Sequence, residues 1–188
     1  ATPDNGEVVV LERSGVRFTD GEGHAMEKER RPVDEGWAET DRNGCPHFML
    51  KEILEQPEAL LHTLEQDDAL LMDVAMEVLR AKQVVFTACG TSRHAALIGR
   101  YLFSHVAKKF SDVVMASEFG YFSDSIDRHT VVIAVSQSGE TADVLDGVRL
   151  AKEAGAHIVG IVNRPSCLLA EESDHVIRLN CGPEVGVA

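Results

Sequence analysis

The chain of 188 residues is poor in positive charge: 18 lysines and arginines stand against 31 acids, a formal net charge of −13. So acidic a surface excludes nucleic acid as a partner, because phosphate backbones are gripped by basic faces. No stretch is apolar for long enough to span a bilayer, which excludes a membrane role. No charged-then-apolar leader is visible, so the expected compartment is the cytoplasm. Cysteine is scarce too, and Cys45, Cys89, Cys167 and Cys181 form no C-x-x-C pair and no zinc spacing with histidine. Reduced thiols are expected, and no metal site.

Several nucleotide and hydrolase signatures are missing. There is no G-x-x-x-x-G-K-[ST] for a P-loop and no G-x-G-x-x-G after a strand for a dinucleotide. The stretch "SQSGE" only loosely approximates the nucleophile elbow G-x-S-x-G, because Ser136 occupies the place of the leading glycine.

What is present is an ordinary globular share of apolar residues, 44%, in two regions of different character. Residues 1–46 are polar. Within them "VVVLE-RSG-VRFTD" reads as a hairpin about Ser14-Gly15, followed by a linker with turn signals at Asp20-Gly21 and Asn43-Gly44. Trp37 is expected to anchor that linker on the main body.

Residues 47–188 change pattern. "HFMLKEILEQ" spaces apolar residues as one helical face, with Pro57 expected to close it. "DDALLMDVAMEVLRA" follows, with Asp67-Asp68 at its N-cap side. Met49, Met72, Met76, Tyr101 and Phe103 fit helix faces and are expected in the core. Then strands "QVVFTA", "DVVMA", "TVVIAV", "HIVGIV" and "HVIRL" alternate with amphipathic helices such as "RHAALIGRYLFSHVAKKF" and "TADVLDGVRLAKEAG". Strands apolar throughout, with helices between them, predict a doubly wound α/β three-layer sandwich around a mainly parallel five-stranded sheet.

In such a sheet the strand-to-helix loops share the carboxyl edge, where ligands bind. Two loops there are unusual: Cys89-Gly90-Thr91-Ser92, and Ser136-Gln137-Ser138-Gly139-Glu140-Thr141. A helix N-terminus offers unpaired N–H groups and a positive dipole end, so it stabilises a phosphate without a cation. Hydroxyls add donors that rotate to fit, and glycine admits a close approach. Capping is the common role of Ser and Thr at such a junction, but two loops of this composition point to a cradle for a phosphorylated polyol. Glu140, in the first turn of its helix, reads as structural. Cys89 reads as a buried small residue at a strand end, and His94 is not assigned a role.

The stretches "PHFMLKEILEQP", "ACGTSRHAALIGRYLF", "ASEFGYF", "VSQSGETADVLDGVRLAKEAG" and "ESDHVIRLNCGPEVGVA" resemble, in order, the isomerase half of the glutamine–fructose-6-phosphate aminotransferase family. That half is built from two sugar isomerase (SIS) domains, flavodoxin-like in fold, and the likeness runs from about Cys45 to Ala188. It implies that residues 1–46 are the end of the glutaminase domain and its linker, and 47–188 the first SIS domain with its leading helices. It also implies transfer of ammonia from glutamine to fructose 6-phosphate, giving glucosamine 6-phosphate, with no cofactor and as a homodimer. The substrate-binding residues it implies are Thr91, Ser92, Ser136, Gln137, Ser138 and Thr141, with Val187 bordering the sugar through its backbone. Arg93 stands where a tyrosine is common and Gly120 where an arginine is often seen; neither change removes a hydroxyl from the loops.

No catalytic residue is assigned. Sugar isomerisation needs a general base, and imine formation a lysine; the family carries these in its second SIS domain and C-terminal tail. Lys51, Lys82, Lys108, Lys109 and Lys152 are expected on helices away from the two loops. The expectation is therefore a piece of a larger enzyme, inactive alone. A non-catalytic sugar-phosphate sensor and a stand-alone phosphosugar isomerase are the alternatives.

Overall fold

The computed structural model describes residues 3–29 and 41–186, in two compact units divided between Glu39 and Thr40. Trp37 and Val187 lie outside the described residues.

The first unit is a three-stranded antiparallel sheet of β1 (Val8–Glu12), β2 (Gly15–Thr19) and β3 (Ala25–Met26). Glu12 pairs with Gly15, so the hairpin turns on Arg13 and Ser14. The third strand falls where a linker was expected. It is brought back by Asp20, whose Oδ1 accepts from the N–H groups of Glu22 and His24 at 2.9 and 2.8 Å.

The second unit begins with a turn in which Asn43 and Gly44 both have positive φ, 49° and 78°, as the Asn-Gly pair predicts. Helix α1 (Phe48–Leu64) follows, capped by His47 Nδ1, which accepts from Leu50 N–H. It runs through Pro57 rather than closing there. Good helix formers (Glu58, Ala59, Leu60, Leu61) continue past the proline, and polar anchors from Thr63 and Gln66 to the far end of the chain hold the last turns in place. Helix α2 (Asp68–Arg80) is capped by Asp67, as expected.

Five parallel strands make the sheet: β4 (Gln83–Ala88), β5 (Asp112–Met115), β6 (Thr130–Val135), β7 (His157–Val162) and β8 (His175–Arg178), in the order β5-β4-β6-β7-β8. Between them run α3 (Gly90–His105), a 3₁₀ segment (Ala116–Ser125), α4 (Ala142–Glu153) and α5 (Leu168–Glu172). One face of the sheet buries Val84, Phe86, Val131 and Ile133 with Val78 of α2 and Ala96 of α3. The other buries Val85, Val132 and Ile158 with Phe119 of the 3₁₀ segment, Val144 and Val148 of α4 and Leu169 of α5. Alternate residues of each strand serve opposite cores, which is why the strands read as apolar runs.

The outer helices depart from expectation. No residue of α1 is buried, and of the apolar residues on α2 only Leu70, Val74 and Val78 turn inward. Met49, Met72, Met76 and Tyr101 are exposed, Met72 by 62% and Tyr101 by 65%. Phe103 is half-buried, edge-on to Phe86 at 5.1 Å between ring centres. A helix face is apolar whether it packs on its own sheet or on another body, so periodicity does not separate the two cases.

Candidate functional site

The chain starts its sheet at β4, steps out to β5, then returns to the other side of β4 with β6. The crossover direction reverses between β4 and β6, and that reversal opens a crevice at their carboxyl ends. Ala88 and Val135 are the last paired residues of these strands. The loops beginning at Cys89 and Ser136 therefore leave the sheet side by side, about 5 Å apart. The Cys89 thiol, half-buried rather than buried, reaches across to the Asp143 carboxylate in the first turn of α4, at 4.0 Å.

Neither helix rising from these loops carries a side-chain cap. Cys89 at the N-cap of α3 and Thr141 at the N-cap of α4 make no capping hydrogen bond, while α1 and α2 are both capped. The N–H groups of the first turns of α3 and α4 thus face the crevice without the partner that a Ser or Thr cap supplies elsewhere. The hydroxyls of Thr91 and Ser92 and the side-chain amide of Gln137 are likewise unengaged by the described residues.

The second loop is internally braced. Ser136 is 3% exposed. Its Oγ accepts from Gly139 N–H at 3.1 Å and shares a hydrogen bond with Thr141 Oγ1 at 2.9 Å. Ser138 Oγ accepts from Glu140 N–H at 3.2 Å. Gly139 has φ +65°, and a Cβ there would stand 2.2 Å from Cys167 Sγ; only glycine lets the loop pass so close. Burial pushes the Cys167 thiol above its ordinary range. Glu140 lies one residue before the N-cap of α4, and its carboxylate accepts from Leu168 N–H at the start of α5, 3.1 Å away. Its role is structural, as expected, but for another helix.

Of the predicted residues, Thr91, Ser92, Ser136, Gln137, Ser138 and Thr141 all stand at this one crevice. Sequence reasoning passed over Asn163, the first residue after β7. It is 3% exposed and donates its N–H to the Gln137 carbonyl at 2.9 Å. The signal was there: an asparagine directly after an apolar strand, at the same sheet edge as the two loops. Sequence reasoning also overlooked a cavity of about 300 Å³ lined by Gln137, Asn163, α1, Leu179 and residues 181–184.

Among the described residues of the second unit, no lysine bonds to the loops. Lys51 pairs with Glu55 within α1, and Lys152 of α4 with Glu172. Lys82, Lys108 and Lys109 lie in connectors rather than helices. The described residues hold no group of three or more His, Cys, Asp or Glu fit for a metal ion, and no helix among them is long and apolar enough to cross a membrane.

The SIS domain model matches residues 77–188. Over 98% of its length the chain is 42% identical to the isomerizing glutamine–fructose-6-phosphate aminotransferase of Methanothermobacter thermautotrophicus, and 39% to that of Thermus thermophilus. It spans 31% of the length of each. Among solved structures, the C-terminal domain of glucosamine-fructose-6-phosphate aminotransferase from Francisella tularensis superposes with a TM-score of 0.71 at 35% identity. That match covers 79% of this chain and 44% of the other.

Proposed function

This chain belongs to the SIS domain family, and we propose that it is the sugar-phosphate-binding part of a glutamine-dependent fructose-6-phosphate aminotransferase. Such an enzyme makes glucosamine 6-phosphate and glutamate, and the proposal places it in the cytoplasm with no cofactor. Residues 1–46 are then the end of the glutaminase domain and its linker. One observation carries the reading: two uncapped helix N-termini and unengaged hydroxyls converge where β4 and β6 end together.

In this reading the phosphoryl oxygens accept from the α3 and α4 first-turn amides and from the Thr91, Ser92 and Ser138 hydroxyls. Gln137, with two donors and an acceptor, faces the sugar hydroxyls. Ser136 and Thr141 hold the loop's shape, and Val187 borders the sugar. Binding without a lysine leaves the phosphate's charge balanced by dipoles, which are fixed before the ligand arrives. The chain's own residues supply grip and orientation; no proton-transfer step is assigned to them.

The proposal includes pairing with a second copy of the chain. Leu60, Leu61, Leu64, Met72, Leu79 and Ile98 on α1, α2 and α3 remain more than half exposed, a surface that suits a protein partner. Sedimentation of the chain should report its mass as a dimer.

Titration with fructose 6-phosphate, followed by amide NMR, tests the site. The amides of Thr91, Ser92, Ser138 and Gly139 should shift together and saturably. Shifts confined to the amino edge of the sheet, near Lys82 and Asp112, would reject the reading.

A further inference from the structure

The side-chain amide of Asn163 behaves as a piece of strand. Its Oδ1 accepts from Cys181 N–H at 2.9 Å, its Nδ2 donates to the Gly182 carbonyl at 2.8 Å, and its own N–H serves the Gln137 carbonyl. Only this orientation satisfies both tail groups, since one is a donor and the other an acceptor. Of these three bonds of a buried polar residue, one goes to the ligand-facing loop and two to the segment after β8. An amide so placed is costly to leave unpaired, so loop and tail must move together.

The tail is tied down again on its other side. Thr63 Oγ1 of α1 donates to the Leu179 carbonyl at 2.5 Å, and Gln66 Nε2 donates to the Arg178 carbonyl at 2.7 Å. Further on, Glu52 Oε1 accepts from two successive N–H groups, Val185 at 2.7 Å and Gly186 at 2.8 Å. Successive amides converging on one anion form a small cation-like concavity, here filled by a carboxylate. A Cβ on Gly186 would meet Glu52 Oε2 at 2.7 Å and the α1 backbone at Met49 Cα at 3.3 Å. The segment thus lies close against α1, where a side chain would displace the Glu52 carboxylate and press on the helix backbone. Between these two anchor lines opens the cavity that Gln137 also lines.

We propose that Asn163 and Glu52 are positioning residues which build the tail into a third wall of the ligand site, so that α1 sets the position of Gln137 through the tail. The proposal rests on the sugar-phosphate reading of the two loops and adds a division of labour to it. The loops hold the phosphoryl group. The Asn163–tail–Glu52 line sets the wall beside the sugar, and with it the preference for a sugar phosphate over a bare anion.

The test compares Asn163→Ala, Glu52→Ala and Glu52→Gln in this chain, reading amide spectra and affinities for fructose 6-phosphate and for inorganic phosphate. Glu52→Ala should shift the amides of Cys181, Val185 and Gly186, and also those of Asn163 and Arg164, whose N–H groups face the Gln137 carbonyl. Glu52→Gln, which keeps an oxygen in the concavity, should restore most of these positions. Asn163→Ala should weaken fructose 6-phosphate about tenfold while inorganic phosphate changes less than twofold; a merely structural loss would move both together. Should Asn163→Ala fail to fold, the Glu52 pair decides by the same ratio. Unmoved Asn163 and Arg164 amides in Glu52→Ala, or equal loss of both ligands, would overturn the proposal. If the parent chain binds neither ligand, the sugar-phosphate reading fails and takes the specificity claim with it, whereas the amide comparison still decides whether α1 positions the loop.

Discussion

Ser136 Oγ and Thr141 Oγ1 lie 2.9 Å apart, closing the loop between β6 and α4 with a hydroxyl pair rather than with a helix cap. The pairing divides the predicted site into residues that shape the loop and residues left to meet a ligand, and the two groups should respond differently to truncation.

Removing the Ser136 hydroxyl leaves Gly139 N–H with only the Ser136 carbonyl, at 3.2 Å, and takes the partner from the half-buried Thr141 Oγ1. Ser136→Ala should cost about 1 kcal/mol of stability and weaken sugar-phosphate binding with it. Thr91→Ala, at an exposed position, should stay within about 0.5 kcal/mol of the parent while lowering fructose 6-phosphate affinity about tenfold. Urea unfolding beside isothermal titration separates the two outcomes.

Gly90 and Gly139 make a matched pair. Both have positive φ, 53° and 65°, but a Cβ at Gly90 meets nothing within 4 Å while one at Gly139 collides with Cys167. Gly90→Ala should cost about 1–2 kcal/mol, the backbone penalty alone. Gly139→Ala adds overpacking of about 1–3 kcal/mol to the same penalty. Comparable unfolding midpoints for the two variants would contradict the packing described at Cys167.

Glu140 caps a helix other than the one it precedes. Glu140→Ala should destabilise the chain by about 1 kcal/mol and raise hydrogen exchange at Leu168 and its neighbours. The first-turn amides of α4 should keep their exchange rates.

The Glu184 carboxyl is held above its ordinary value of 4.5, first by desolvation at the cavity wall and then by the charge of Glu52. A raised carboxylate pKa adds stability while the group is protonated and loses it as pH rises through the folded value. Glu184→Gln should therefore unfold at slightly higher urea than the parent at pH 7, and the gain should vanish below about pH 4. Much of the side chain remains in water, so the difference is small. An equal difference at pH 4 and pH 7 would assign the effect to something other than charge.

The second unit was readable because each level of its sequence agrees with the next. Apolar strands such as "TVVIAV" alternate with helices of one apolar stripe, and that pattern permits little but a parallel sheet covered on both faces. The two hydroxyl-rich loops were found for the same reason, since strand ends in such a sheet share one edge. Pro57 misled because a local rule about proline was set against anchors from the far end of the chain. The methionines and Tyr101 misled because an apolar stripe does not say what covers it.

By itself, then, the order of residues determined the sheet, its two cores and the edge where the two hydroxyl-rich loops meet, because these follow from period and chirality along neighbouring segments. Only the tertiary structure decided which hydroxyls brace and which remain unengaged. It alone disclosed that Glu140 serves α5, and that Asn163 joins residue 137 to residues 181 and 182. Those choices depend on groups far apart in the chain competing for the same hydrogen bonds, and a linear pattern holds no record of that competition.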